Sequence, residues 1–230
     1  MIPEESEQPM HEHDPISILY LDPLSANELA PFWDYLATMP HVHFKHSETL
    51  PDSLSGIHVV ITTGMDPVNS IEPALRSFIQ AGGVWLHMVE GSVDPLPEVF
   101  GVQPGSVGPT TEVRILFTDP NNPMAERLTD AFYVSGRFQE LQVKAPDTET
   151  VVYADWHYTH RAVIVQRPVG RGYAACTTLQ AFEDPDVQQI FYRLMRSLSH
   201  RSFGHTIGVG ILGYAPSVGR LHGLGCQNTY

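Results

Sequence analysis

Three continuous apolar runs mark the first half of the chain and predict buried β-strands over Ile16–Leu21, His58–Thr62 and Val84–Val89. Apolar residues spaced three and four apart predict two helices between these strands, one ending near Met39 and one over Glu72–Gln80. Strands without polar alternation are typical of a sheet buried on both faces, and strands that alternate with helices usually pair in parallel. The first half therefore predicts a parallel sheet covered by helices.

The second half has a different pattern, in which strand-like runs follow one another with few helices between them. The runs are Glu112–Phe117, Phe138–Lys144, Thr150–Ala154, Ala162–Gln166 and Tyr173–Thr178. They indicate either added antiparallel structure or strands that extend the main sheet. A last amphipathic helix is predicted from Asp184 to about Ser199.

These patterns predict one α/β domain over residues 15–200, flanked by segments of different composition. Residues 1–14 contain several acidic residues and no lysine or arginine, so we expect a disordered, solvated tail. Residues 201–205 are predicted to be a linker. Residues 206–230 predict a new strand that runs into a glycine-containing loop.

The net charge of −13 argues against a nucleic-acid-binding protein, because 26 acidic residues against 13 basic ones repel phosphate groups. The chain shows neither an apolar run long enough to span a membrane nor a secretory signal. Its cysteines, Cys176 and Cys226, do not predict a disulfide scaffold, so a cytoplasmic location is expected. The expected partners are small molecules or other proteins, and a homo-oligomer stays open.

Several segments within residues 57–91 and 112–199 resemble the ThuA-like (trehalose utilisation) family. They are His58–Gly64, Ala74–Val84, Asp119–Pro123 and Gly170–Leu179, in the family's order and spacing. The resemblance implies a flavodoxin-like, class I glutamine-amidotransferase-like three-layer sandwich with a mostly parallel sheet. It also implies a function with a carbohydrate derivative. The chain departs from the family pattern at Gln180-Ala181, where the family often has Gly-His, and at Gly136-Arg137-Phe138, where it has an acidic segment.

The C-terminal segment resembles the opening of the Gfo/Idh/MocA sugar oxidoreductases. Ile207–Gly213 is similar to the first Rossmann strand of that family, and Gly219 to His222 is similar to the start of its first helix. The resemblance implies that Gly213, Ala215 and Gly219 would contact the pyrophosphate of NAD(P). A complete βαβ unit needs about 30 or more residues, so NAD(P) binding is expected only in a complete domain.

The candidate site follows from the fold, because ligands of parallel α/β sheets bind outside the carboxyl ends of the strands. His87 and Glu90 are the candidate catalytic residues, as a general base or as groups that bind sugar hydroxyls. The alternative is a core histidine and a glutamate that faces water. Four further residues are candidates for binding the ligand: Thr63, Gly64, Asp66 and Gln180.

Two kinds of chemistry are not expected. An amidotransferase needs a nucleophilic cysteine in the turn after Val84–Val89, and none is present there; Cys176 lies within a predicted strand and is interpreted as a core residue. His41, His43 and His46 lack a carboxylate or cysteine at zinc-like spacing, so no metal site is predicted.

Three functional hypotheses remain from the sequence. The first is a ThuA-like domain that binds or processes a carbohydrate derivative and is coupled to a sugar oxidoreductase module. The second is a catalytically silent interaction or scaffold domain for an NAD(P)-dependent dehydrogenase. The third is a nucleotide-binding fragment. The sequence leaves open whether the protein is an enzyme, although it is not expected to be a glutaminase or, by itself, a competent dehydrogenase.

Overall fold

The computed structural model describes residues 15–21, 30–39, 41–64, 66–89, 91–125, 128, 131–156 and 159–201. The strands are β1 (Ile16–Leu21), β2 (Val42–Ser47), β3 (Val59–Thr63), β4 (Val84–Met88), β5 (Val102–Phe117), β6 (Phe132–Val143), β7 (Glu149–Trp156), β8 (Thr159–Val169) and β9 (Gly172–Thr177). The helices are α1 (Ala30–Thr38), α2 (Asp66–Gln80) and α3 (Pro185–Leu198), and two short 3₁₀ helices span Glu98–Phe100 and Pro123–Ala125.

All nine strands form one sheet in the order β2-β1-β3-β4-β9-β8-β7-β5-β6. The first five strands of this order pair in parallel, and we call them the parallel half. With β9 in fifth place, this half has the 2-1-3-4-5 order of flavodoxin-like folds. The predicted α/β class and the parallel pairing of the first strands are therefore confirmed.

The prediction of a mostly parallel sheet is wrong, because β5, β6, β7 and β8 form an antiparallel half. Four of the eight strand pairings are antiparallel, and the strands in them are mostly the longer ones. The physical reason is the short connections, since a tight hairpin can join only antiparallel strands. The turn from β8 to β9 shows this, with Gly170 at a φ of 64° directly before β9 begins at Gly172. The antiparallel strands also extend the main sheet. Both alternatives that the sequence left open, antiparallel structure and an extended main sheet, are therefore correct.

Helices cover both faces of the parallel half, which gives three layers. The first core lies on the face covered by α1 and α3, and it includes Phe32 and Phe191 from those helices. The second core lies on the opposite face under α2 and the 3₁₀ helix Glu98–Phe100. Apolar residues on alternate positions of β4 enter the two cores in turn, as the period of a strand requires.

The largest errors in predicted boundaries fall in β5 and β6. We predicted a strand from Glu112, but β5 begins ten residues earlier at Val102. Pro104 and Gly105 lie inside this early part, and residues of these types normally count against a strand. Register shifts between Pro104 and Val107, and between Val107 and Thr110, accommodate them.

The remaining predicted boundaries are close to the observed ones, with one exception. Helix α2 begins at Asp66, six residues before the predicted start at Glu72. The N-terminal tail and the segment 206–230 lie outside the described residues. None of the helices described is both long enough and apolar enough to cross a membrane.

Candidate functional site

A cavity of about 230 Å³ opens where the parallel and antiparallel halves meet, beyond the carboxyl end of β9. We call it the junction cavity. Its lining comes from β5 and β6, from Val163 of β8 and from the segment after β9. The lining residues are Val113, Ile115, Val134, Ser135, Gly136, Arg137, Phe138, Gln139, Val163, Thr178, Leu179, Gln180 and Ala181. Its position agrees with the expectation that a ligand site lies at the carboxyl ends of the parallel strands.

Gln139 fixes one wall of the junction cavity and is almost completely buried, at 3% exposure. Its side-chain amide nitrogen donates hydrogen bonds to the backbone oxygen of Ser92 at 2.7 Å and of Gly105 at 2.8 Å. Two carbonyl acceptors on the nitrogen determine the orientation of the amide, since the flipped amide would place oxygen against oxygen. Its Oε1 atom has no hydrogen-bond partner among the described residues. Gln139, one of the lining residues, thus contains a buried acceptor that lacks a donor among the described residues.

Thr178 connects this wall to the end of β9. Its hydroxyl donates a hydrogen bond of 2.6 Å to the backbone oxygen of Gln139, and its backbone nitrogen donates to the oxygen of Val163 at 3.0 Å. Residues from β6, β8 and the end of β9 are therefore held together around the cavity. The cavity therefore depends on contacts between residues far apart in the sequence, and not on a single loop.

Arg137 is the only charged residue among the described residues that line the junction cavity. Its side chain is exposed, and within the described part of the chain it has neither an ion pair nor a hydrogen bond. The described lining contains no aspartate or glutamate, although the net charge of the chain is −13.

Gln180 is the predicted ligand-binding residue that the structure places in this lining. Its side-chain nitrogen donates a hydrogen bond of 2.7 Å to the backbone oxygen of Val89, the residue that follows β4. The bond ties the ends of β9 and β4 together. Its side chain is exposed and can contact a ligand.

His87 lies elsewhere, in the second core, with 1% exposure and no place in the lining of the junction cavity. Its Nδ1 atom is 3.0 Å from the hydroxyl of Thr62, which also accepts a 2.8 Å hydrogen bond from the indole nitrogen of Trp85. Its ring packs against Phe100, with 5.6 Å between the ring centroids. Burial lowers the pKa of His87 to about 4, so the imidazole is neutral at pH 7. These contacts correspond to the core-histidine alternative, and a catalytic role for His87 stays a prediction.

The other predicted residues are spread over the sheet edge or lie outside the described part of the chain. Thr63 ends β3 and is buried, with its hydroxyl oxygen 3.5 Å from that of Tyr20. Gly64 follows at a φ of 68°. Asp66 is the first residue of α2, and its side chain is among those not described. Four predicted residues lie outside the described residues: Glu90, Gly213, Ala215 and Gly219.

Cys176 is a core residue, as predicted. It is completely buried in β9 within the second core, and burial raises the pKa of its thiol far above the ordinary value. A thiol in this position stays protonated and does not reach a ligand. Among the described residues, no three His, Cys, Asp or Glu side chains form a group that could hold a metal ion.

A second cavity, of about 490 Å³, lies between β6, β7 and β8. It includes Tyr153 and His160, whose ring centroids lie 4.2 Å apart with the rings tilted by 33°. Its cation, Arg161, is neutralised by a 2.5 Å ion pair with Glu140. The larger cavity therefore has compensated charges, in contrast to the junction cavity.

Sequence reasoning noticed Arg137 only as a departure from a family pattern, and it did not identify Gln139 or Thr178. One signal was present for Gln139, since it is a polar residue between Phe138 and Leu141 in a predicted strand. A polar residue on a strand more often faces water, and only the long curled hairpin of β5 and β6 buries it here.

No family model matches the chain, and no curated protein matches its sequence. Solved structures with a similar fold include a ThuA-like protein from Bacteroides uniformis ATCC 8492, with a TM-score of 0.65 and 10% identity over 82% of this chain and 93% of that one. A ThuA-like protein from Parabacteroides merdae ATCC 43184 has a TM-score of 0.59 and 13% identity, over 81% of this chain and 90% of that one.

A β-galactosidase from Bacillus circulans sp. alkalophilus is similar as well, with a TM-score of 0.62 and 14% identity over 83% of this chain. The match covers 32% of the β-galactosidase, so the chain spans about a third of that protein's length. At these identities the likeness establishes a shared fold. Proteins with this fold thus include ThuA-like proteins and a part of a β-galactosidase.

Proposed function

We propose that this protein binds a carbohydrate derivative in the junction cavity, without amidotransferase chemistry. The observation that carries the proposal is the junction cavity itself, a space at the carboxyl end of the sheet that apolar residues line together with Ser135, Gln139, Thr178 and Gln180.

Three further features support a polyol ligand. Ser135, Arg137 and Gln180 are among the lining residues, together with apolar residues that include Val113 and Ile115. A mostly apolar cavity with a few polar groups is the usual form of a small-molecule site. The carbohydrate-related proteins that share the fold, the ThuA-like proteins and the β-galactosidase, favour the same class of ligand.

The test is a binding measurement by calorimetry and thermal shift with a panel of free sugars, keto-sugars and glycosides. Gly136→Leu is the blocking variant, because a side chain at Gly136 meets no atom within 4 Å and would occupy the cavity. His87→Gln is the comparison variant, since His87 is buried outside the lining. We expect Gly136→Leu to abolish sugar binding and His87→Gln to retain it, at a temperature where both variants are folded.

The opposite pattern would support the site predicted from the sequence around His87 and Glu90. Absence of binding by every sugar in the wild-type protein would refute the proposal altogether.

A second candidate function is that of a non-catalytic accessory domain. It is favoured by the observation that the same fold makes up about a third of a longer β-galactosidase chain. Coupling to a sugar oxidoreductase would be one form of this role, and it rests on the sequence motif at Gly213, Ala215 and Gly219. Titration with NAD(H) and NADP(H) tests the coupling, because a complete dinucleotide site would stabilise the protein by mass action.

A further inference from the structure

We infer that this protein forms a homodimer in which β6 pairs antiparallel with β6 of a second copy, about a two-fold axis at Ser135. The inference goes beyond the proposed function, because it concerns an edge of the sheet and is independent of the ligand. It starts from the position of β6, which is the last strand in the order of the sheet. The strand pairs with β5 on one side, and no described strand pairs with its other side.

The first half of β6 is the part suited to pairing with another strand. Residues 132–137 pair with residues 110–115 of β5 without a register shift, so this part of the edge is regular. Within the described part of the chain, the backbone of these six residues makes no hydrogen bond outside the sheet. In the second half, by contrast, the backbone oxygen of Gln139 accepts a hydrogen bond from the hydroxyl of Thr178. Backbone groups on an open edge can bind a strand of another chain.

The two edges of the sheet differ in how they are protected against such pairing. Natural edge strands are blocked by charged side chains, especially lysine, or by proline or bulges. The edge strand β2 contains an exposed Lys45 between His43 and His46, which are also exposed. Residues 132–137 contain neither lysine nor proline, and their one charged residue, Arg137, lies at the end of this part. The edge formed by β6 therefore lacks the usual protection.

The exposed side chains of this edge share one face. Phe132 and Val134 are buried, whereas Tyr133, Ser135 and Arg137 are exposed, as the period of a strand requires. Tyr133 is 64% exposed, more than any other large apolar side chain among the described residues. Arg137 on the same face has no described ion pair. The face thus contains an uncovered aromatic ring and an unpaired cation two positions on either side of Ser135.

A two-fold axis at Ser135 brings these two groups together and makes the edge complementary to itself. In that register Tyr133 lies opposite Arg137 of the second copy, and the contact forms twice. Arginine packs favourably on the ring of tyrosine, and directly opposite residues of paired strands are in contact. An axis at Val134 or at Gly136 would instead place Ser135 or Gln139 opposite Tyr133. The contact exists only in the dimer, so it does not stabilise a single protomer.

The experiment measures the mass of the intact chain by analytical ultracentrifugation over a concentration series up to about 100 μM, a range that detects micromolar association. We expect a monomer–dimer equilibrium. Ser135→Lys places two lysines opposite each other at the axis and should raise the dissociation constant about 5-fold or more. His43→Lys is the matched control, because it adds a lysine at an exposed position of the other edge strand. It should leave the equilibrium unchanged.

Cross-linking tests the register and does not depend on Ser135→Lys being folded. The background is Cys226→Ser, and Cys176 is buried and does not react. Cα atoms of opposite residues in antiparallel strands lie about 4.5–5.5 Å apart, which a disulfide can bridge. Ser135→Cys should therefore form a disulfide-linked dimer on mild oxidation. Tyr133→Cys is the control, since its two copies would lie about 13 Å apart along the strands and should not cross-link.

Three outcomes would overturn the inference. The first is a chain that stays monomeric over the whole concentration series. The second is a dimer that His43→Lys weakens and Ser135→Lys does not, because the interface would then lie at β2. The third is a dimer in which Tyr133→Cys cross-links and Ser135→Cys does not, since the axis would then lie elsewhere. None of these results bears on sugar binding, so the proposed function is tested separately.

Discussion

The hydrogen bonding of buried polar side chains differs between the parallel and antiparallel halves of the sheet. In the parallel half, Trp85, Thr62 and His87 form a hydrogen-bonded group that packs against Phe100 of the 3₁₀ helix. In the antiparallel half, Gln139 is also buried but keeps one oxygen without a partner among the described residues, and it is one of the residues that line the junction cavity. The comparison teaches that a buried polar residue indicates a site only when part of its hydrogen-bonding capacity is left over.

The closeness of packing also differs between one glycine of each half, and this difference is measurable. An added Cβ at Gly172, where β9 begins, would lie 2.0 Å from the backbone oxygen of Gly83 and 2.5 Å from that of Ile79. An added Cβ at Gly136, in the junction cavity, would meet no atom within 4 Å. The position of Gly172 therefore tolerates no additional atom, and the position of Gly136 does.

The largest expected effect is that of Gly172→Ala. Backbone atoms cannot move aside as the end of a flexible side chain can, so we expect the free energy of unfolding to fall by about 3 kcal/mol or more. Urea denaturation measures the change. The control is Gly136→Ala, which should stay within about 0.5 kcal/mol of the wild-type protein. Similar losses for the two variants would contradict the difference in packing.

The next effect concerns the pH dependence caused by His87. Its pKa is about 4 in the folded protein and 6.5 in an unfolded chain, so the unfolded state binds the proton first as the pH falls. The stabilisation is complete above pH 6.5 and is lost as the pH falls from 6.5 toward 4, by about 3 kcal/mol in total. Denaturation curves at several pH values should show a clearly smaller loss over this window for His87→Gln. An unchanged pH dependence in that variant would show that burial does not lower the pKa of His87 in the folded protein.

A smaller loss of stability is expected for Gln139→Leu. The substitution removes the donor to the backbone oxygens of Ser92 and Gly105, and these would stay buried without a partner. We expect a loss of about 2 kcal/mol in the free energy of unfolding, together with loss of sugar binding. Gln142→Leu, at an exposed position of the same strand, is the control and should change neither quantity. Unchanged stability of Gln139→Leu would mean that the amide does not hold the wall of the cavity.

The smallest effect on stability is expected for Arg137→Gln. The exposed guanidinium has no partner among the described residues, so its loss should change the free energy of unfolding by less than about 0.5 kcal/mol. Thermal denaturation without ligand measures this change. A clear destabilisation would show that Arg137 has a structural partner.

Much of the fold could be predicted from local patterns. The apolar runs at β1, β3 and β4 located the strands of the parallel half to within a residue or two, because a strand buried on both faces must be apolar throughout. Helix α3 was also placed closely, since Asp184 caps it by accepting a hydrogen bond from the backbone nitrogen of Asp186. The early part of β5 was not predicted, because Pro104 and Gly105 are residue types that normally count against a strand. The pairing of this part with β6 is irregular.

The candidate site could be predicted only in part. Gln180 was identified from its place after a strand-like segment, and it lines the junction cavity. His87 was selected by the same rule, yet its side chain lies in the core, because a residue one position before the end of β4 still faces a covering layer. Position along the chain predicts which end of the sheet a residue lies near, but it does not predict whether the layer above is open.

The sequence by itself determined the fold class, the parallel half and the identity of the core strands and helices. These features depend on the local periodicity of apolar residues, which can be recognised directly in the sequence. Only the tertiary structure decided that the antiparallel strands bury Gln139 and bring other groups of the site, such as Thr178, to it. Those groups are brought together by contacts such as Thr178 with Gln139, 39 positions apart, and contacts of that range leave no periodic signal in the sequence.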